Sequence, residues 1–150
     1  MTIGSIQGAG TYSLGSAALT VGLNNLSTDV SGTIADGGIN GGKGGGLIKV
    51  GTGTLTLSGI STYSGPTTVS AGTLQAGSTK GFSPNSAFTV HSILDLNGFS
   101  NTVGSLAGDG VVSNIGNPQD TISKLANLTP PPAILTWAVI ASARMALWLP

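Results

Sequence analysis

The stretch Gly45–Gly77, GGLIKVGTGTLTLSGISTYSGPTTVSAGTLQAG, decides how this chain folds. Thr54-Leu55-Thr56-Leu57-Ser58 alternates strictly, and Gly72-Thr73-Leu74-Gln75-Ala76 repeats the alternation. Apolar residues at every second position put one strand face on a core and leave the hydroxyls on the other. Glycines bound both runs and supply the backbone angles that corners need. Between them, Tyr63-Ser64-Gly65-Pro66-Thr67-Thr68-Val69 is another Thr-rich strand, broken once at a Gly-Pro corner. Alternating strands with short corners and no helix between them predict a coiled ribbon.

Working outward, short alternating runs recur at Ala18–Gly22, Gly32–Asp36, Ala87–His91 and Ile93–Leu96. Leu55, Leu74 and Leu94 fall 19 and 20 residues apart, with Val111 a further 17 on. Upstream, Ile34 precedes Leu55 by 21 residues and Leu19 precedes Ile34 by 15. Rungs of this spacing predict a right-handed parallel β-helix whose coils stack strand on strand. Five or six coils would make a rod on the order of 25–30 Å long. A sandwich of hairpins is the rival, favoured locally by the turn signal Asn97-Gly98. Residues 2–13, TIGSIQGAGTYS, and 102–113, TVGSLAGDGVVS, share six of twelve positions. This similarity predicts one long repeat and the start of a second. Gly37–Gly46 holds seven glycines and is expected to be a loop.

The central stretch resembles the autotransporter-associated β-strand repeat, also called the passenger-associated transport repeat. The matching positions are Gly45, Gly46, Leu47, Lys49, Gly51, Gly53, Thr54, Leu55, Leu57, Ser58 and Gly59, then Thr62, Tyr63 and Gly65, then Thr67, Val69, Gly72 and Leu74. Val50 and Pro66 depart from it, standing where a hydroxyl residue and a second glycine are common. The resemblance implies a stalk segment of a type V secreted bacterial surface protein, displayed outside the cell. It also implies neighbouring β-helix coils and an outer-membrane translocator barrel as partners. The alternative functions are a sugar-binding adhesin or carbohydrate-active β-helix fragment, and a degenerate open reading frame.

Composition agrees with a hydroxyl-coated β structure. Charged residues are 7% of the chain, with five basic and five acidic residues and a formal charge of zero. No basic surplus supports nucleic-acid binding. Cysteine is absent, which excludes a disulfide-stapled scaffold. MTIGSIQGAG has neither a basic n-region nor an apolar h-region, so the expectation is a fragment or a mis-started frame without its signal peptide. Residues 1–116 form the expected β-helix region, and 117–150 a proline-containing linker and apolar tail. That tail carries Pro130-Pro131-Pro132, Trp137, Arg144 and Trp148, and reads as frameshifted sequence, a helical cap or a short membrane anchor. Uncapped terminal coils predict end-to-end self-association.

Candidate chemistry was tested residue by residue. Gly37–Gly44 nearly spells a phosphate loop, but Gly44 replaces the magnesium-binding hydroxyl and no helix pattern follows. Gly41–Leu47 approaches the calcium nonapeptide, with Gly46 in place of its aspartate. His91, Ser92 and Asp95 lack a nucleophile elbow, and alternation points His91 outward. Asp95 and Asp109 are expected to be solvated turn aspartates, and Tyr12 and Tyr63 to pack over corners. With one histidine, no transition-metal site is available. The sequence therefore predicts a non-enzyme with no catalytic residue, no cofactor and no metal.

Overall fold

The computed structural model describes residues 1–39 and 41–114, and the backbone of a short strand at Lys124–Leu125. Apart from that strand, the readings made for the 117–150 tail lie outside the described residues. The chain winds into about six coils, each of two or three short strands. The first coil holds β1 (Thr2–Ile3) and β2 (Thr11–Ser13), and the second β3 (Leu19–Val21), β4 (Thr28–Val30) and β5 (Thr33–Ala35). The third holds β6 (Leu47–Lys49), β7 (Thr54–Leu57) and β8 (Ile60–Ser61). The fourth holds β9 (Thr67–Val69) and β10 (Thr73–Ala76), and the fifth β11 (Ala87–Val90), β12 (Ile93–Asp95) and β13 (Thr102–Val103). The sixth holds β14 (Ser105–Gly108), β15 (Val111–Ser113) and β16 (Lys124–Leu125).

Stacking these coils makes three faces. The first is one sheet in the order β1-β3-β6-β9-β11-β14, and the second runs β15-β12-β10-β7-β4. The third is split into β2-β5-β8 and β13-β16. Every strand pair among the described residues is parallel, as a β-solenoid requires and a hairpin sandwich forbids. Asn97 and Gly98 do adopt positive φ, at 48° and 82°. They turn the chain off β12 toward the next face instead of folding it back on itself.

Leu55, Leu74 and Leu94 stand in register in one internal column on β7, β10 and β12, as their spacing predicts. The column continues to Val112, not Val111. Val111 pairs with Ile93 on the outer side, and the two are 44% and 40% exposed. The upstream spacing mixed different faces. Leu19 lies on the first face against Leu47, whereas Ile34 lies on the third, between Tyr12 and Ser61. The second coil is longer than the others because two loops, around Leu23–Ser27 and Gly37–Gly46, bulge from it without disturbing the rungs. The similarity between 2–13 and 102–113 is not a structural repeat either. Ile3 is on the first face and Val103 on the third, while Thr11–Ser13 and Val111–Ser113 belong to the third and second. The two segments share a strand-and-corner pattern that different faces reuse.

The interior is a continuous stack of Leu, Val, Ile and Phe from all three faces. Phe82 and Phe88 meet with ring centroids 5.5 Å apart in a tilted pair. Corners are tight enough to demand glycine. Gly51 and Gly72 have φ of 69° and 66°, and a Cβ there would lie 1.9 Å from the Gly22 carbonyl oxygen and 2.4 Å from the Gly51 carbonyl oxygen.

Leu74 is wholly buried between Leu55 and Leu94. Replacing it with Asp buries an unpaired carboxylate, which should cost about 4 kcal/mol or more and unfold the rod. Thr73→Asp, one residue along and half-exposed, should change stability by less than about 1 kcal/mol. Circular dichroism during urea unfolding checks both.

Candidate functional site

The residues that looked chemical in sequence are dispersed into structural contacts. His91 is exposed, and its Nδ1 lies 2.6 Å from Oδ1 of Asp109, across the fifth and sixth coils. The hydrogen bond with His91 holds the Asp109 carboxyl below the usual carboxylate range. Ser92 Oγ turns away and donates to the Gly72 carbonyl (2.8 Å). Asp95 is 6% exposed, not solvated as expected. It accepts hydrogen bonds from Gln75 Nε2 (2.8 Å), the Asn97 amide (3.0 Å) and Ser113 Oγ (3.1 Å). Alternation does turn Asp95 out of the core, but long polar neighbours on the adjacent coils cover it. No Ser-His-Asp relay is assembled from these residues. The loop that mimics a phosphate cradle leads into β6, and Lys43 on it is exposed. Asp36 at its base accepts from Ser64 Oγ (2.6 Å) and the Ser64 amide (3.1 Å), chiefly the hydroxyl, which lowers its pKa.

The second face carries a ladder of side-chain hydrogen bonds on its outer side. Thr56, Gln75, Asp95 and Ser113 are in register on successive coils. Thr56 Oγ1 donates to Gln75 Oε1 (3.1 Å), and the bonds from Gln75 and Ser113 to Asp95 complete the chain. Ser58 Oγ bonds Asp29 Oδ1 (2.6 Å) one coil earlier. Parallel in-register stacking brings such positions within hydrogen-bond reach, so polar residues can tie coils together as well as apolar ones.

Tyr63 does not cap a corner. It is fully buried, and its hydroxyl is 2.6 Å from Thr67 Oγ1, which is 2.8 Å from Ser86 Oγ. Ser86 Oγ donates to the Gly65 carbonyl (2.7 Å), so the three hydroxyls run as one directed chain from Tyr63 to a corner carbonyl. Burial pushes the Tyr63 phenol up to about 12. Tyr12 is half-buried and donates to the Gln7 carbonyl (2.6 Å).

Lys49 is the feature that sequence reasoning passed over. It lies on the inward side of β6 with Leu47, as simple alternation would have shown, and is 1% exposed. Its Nζ donates to the carbonyls of Val50 (2.6 Å), Gly51 (3.0 Å) and Ala71 (3.3 Å), joining the third and fourth coils at a glycine corner. Burial lowers its pKa, since removal from water disfavours the ammonium form. Among the described residues no cluster of three or more His, Asp or Glu could hold a metal.

A stack of parallel coils, laced by polar and apolar ladders and turned at glycine corners, defines a β-solenoid repeat region. Residues 47–76 match the family model of the passenger-associated-transport-repeat. The adhesin BmaC autotransporter of Brucella suis biovar 1 (strain 1330) is 44% identical over 85 residues, which are 53% of this chain and 2% of that protein. No solved structure matches the chain. The chain thus carries a passenger-domain repeat segment of a type V secreted protein, and spans a very small part of the length of the curated relative it matches.

Two outcomes follow from the buried polar groups. Lys49→Ala leaves a cavity and three carbonyls without their donor, and should cost about 2–4 kcal/mol. Lys49→Met fills the space and removes a buried charge, so it should cost less than half as much. Denaturant midpoints of the two variants check the order. For Tyr63, a phenol pKa raised on folding gives stability that is present below the ordinary value of 10 and lost as pH climbs from 10 through about 12. Tyr63→Phe should lose about 1 kcal/mol at neutral pH and show a shallower fall in stability across that alkaline window than the parent. Urea titrations at each pH measure it.

Proposed function

We propose that the chain is a structural stalk segment of an autotransporter passenger, which helps display the passenger at the cell surface and assists its passage through the outer membrane. The observation that carries this reading is the ladder itself. Each coil's backbone and side-chain bonds are completed by the next coil, so order spreads rung by rung without disulfides or cofactors. The partners are further β-helix coils at either end and the translocator barrel of the full-length protein. The role is non-enzymatic: His91, Ser92, Asp95 and Tyr63 are all engaged in contacts between coils. A second, adhesive role is compatible with the first. It is favoured by a lateral groove on the third face and by the adhesin name of the Brucella relative.

To test the stalk role, the chain is fused between a signal peptide and an autotransporter barrel with an epitope at its N-terminus. The epitope should become accessible to external protease. Leu74→Asp, which blocks coil stacking, should reduce that surface exposure severalfold. Equal exposure of parent and variant would remove the link between stacking and display.

A further inference from the structure

The third face has a break that the other two lack. β8 ends one ladder and β13 begins another, because the fourth coil supplies no strand between β10 and β11 at this face. Its chain dips inward instead. Phe82 is buried against Phe88, and the Phe82 amide donates to Oδ1 of buried Asn101 (3.0 Å). Between β8 and β13 lies a groove of about 410 Å³, walled by Ile60, Thr62, Thr79, Lys80 and Pro84, with Phe82 beneath. All five wall residues are exposed, and no Asp or Glu lines the groove among the described residues. It opens on the flank of the rod, so coils added at either end leave it uncovered.

The chemistry of the walls selects the occupant. Mostly apolar lining with a few polar groups at the rim suits a small ligand. Ile60 and Pro84 offer aliphatic surface, Thr62 and Thr79 offer hydroxyls, and the Lys80 ammonium without a neighbouring carboxylate favours an anion. An added peptide strand fits poorly. Ser61, whose amide would have to meet it, already donates to the Lys80 carbonyl (3.0 Å). The Ile60 and Thr62 amides donate back to Gly32 (3.2 Å) and Ile34 (2.8 Å) on the second coil. The groove therefore presents side chains and not a free strand edge.

We propose that this groove binds a carboxylated sugar unit of an extracellular glycan. Lys80 holds the carboxylate, Thr62 and Thr79 bond ring hydroxyls, and Ile60 and Pro84 cover the ring's C–H face. The assignment deepens the adhesive reading and is independent of the stalk role.

The test titrates the full chain with tetragalacturonate, 3′-sialyllactose, neutral lactose and a Glu-rich peptide, following amide shifts by NMR. Saturable binding of at least one carboxylated sugar, and not of lactose, is expected; which of the two binds identifies the source. Lys80→Ala should weaken it by about tenfold or more, and Lys80→Arg should stay within about threefold of the parent. Both variants should unfold at the parent's temperature and keep its surface exposure in the barrel fusion, so that loss of binding is separated from loss of the rod. Lactose binding equally well, unchanged binding by Lys80→Ala, preference for the peptide, or no saturable binding of either carboxylated sugar would each overturn the assignment.

Discussion

Everything in this structure depends on the hydrogen bonds between one coil and the next. A single turn of three short strands cannot pair its own N–H and C=O groups or bury its own leucines. It gains both only by lying in register on a neighbour. That requirement explains why the rungs are strict where the loops are not. The second coil carries two extra loops, yet Leu19 still meets Leu47 and Thr28 still meets Leu55. Loops that point outward change the length of a turn without changing which backbone groups face each other.

In-register stacking also sets what polar residues can do. On the second face, Thr56, Gln75, Asp95 and Ser113 form a chain of bonds across four coils, and within the rod Tyr63, Thr67 and Ser86 form another. A Thr- and Ser-rich composition would leave an ordinary core short of apolar contacts. Here the hydroxyls either line the outer ladders or satisfy corner carbonyls. Lys49 carries the same logic furthest, since a buried ammonium is tolerable only where several carbonyl oxygens converge on it. The glycine corners at Gly51 and Gly72 bring those carbonyls close, because no Cβ keeps the turns apart.

The break in the third face shows how departures from the ladder create surface features. Where the fourth coil gives up its strand and sends Phe82 inward, two short sheets are left facing each other across a groove. The other faces, continuous over five or six coils, present only flat rows of side chains.

Local pattern was sufficient for the strands, their parallel coiling and the Leu55–Leu74–Leu94 column, because alternation and a spacing of about 20 residues are written directly in the chain. The repeat motif named the protein class for the same reason. Alternation even held the inward position of Lys49, although the charge drew attention to the surface. Sequence could not tell which of three faces a given strand joins, because all three use the same alternating pattern. Leu19, Ile34 and Val111 were therefore placed in one column although they belong to three sheets. Nor could it show that Asp109 meets His91, that Asp95 is covered by Gln75 and Ser113, or that the third face breaks at the fourth coil. Those contacts join residues 18 to 20 apart or more, and their existence depends on the length of each turn and the direction of each corner, which only the stacked backbone decides.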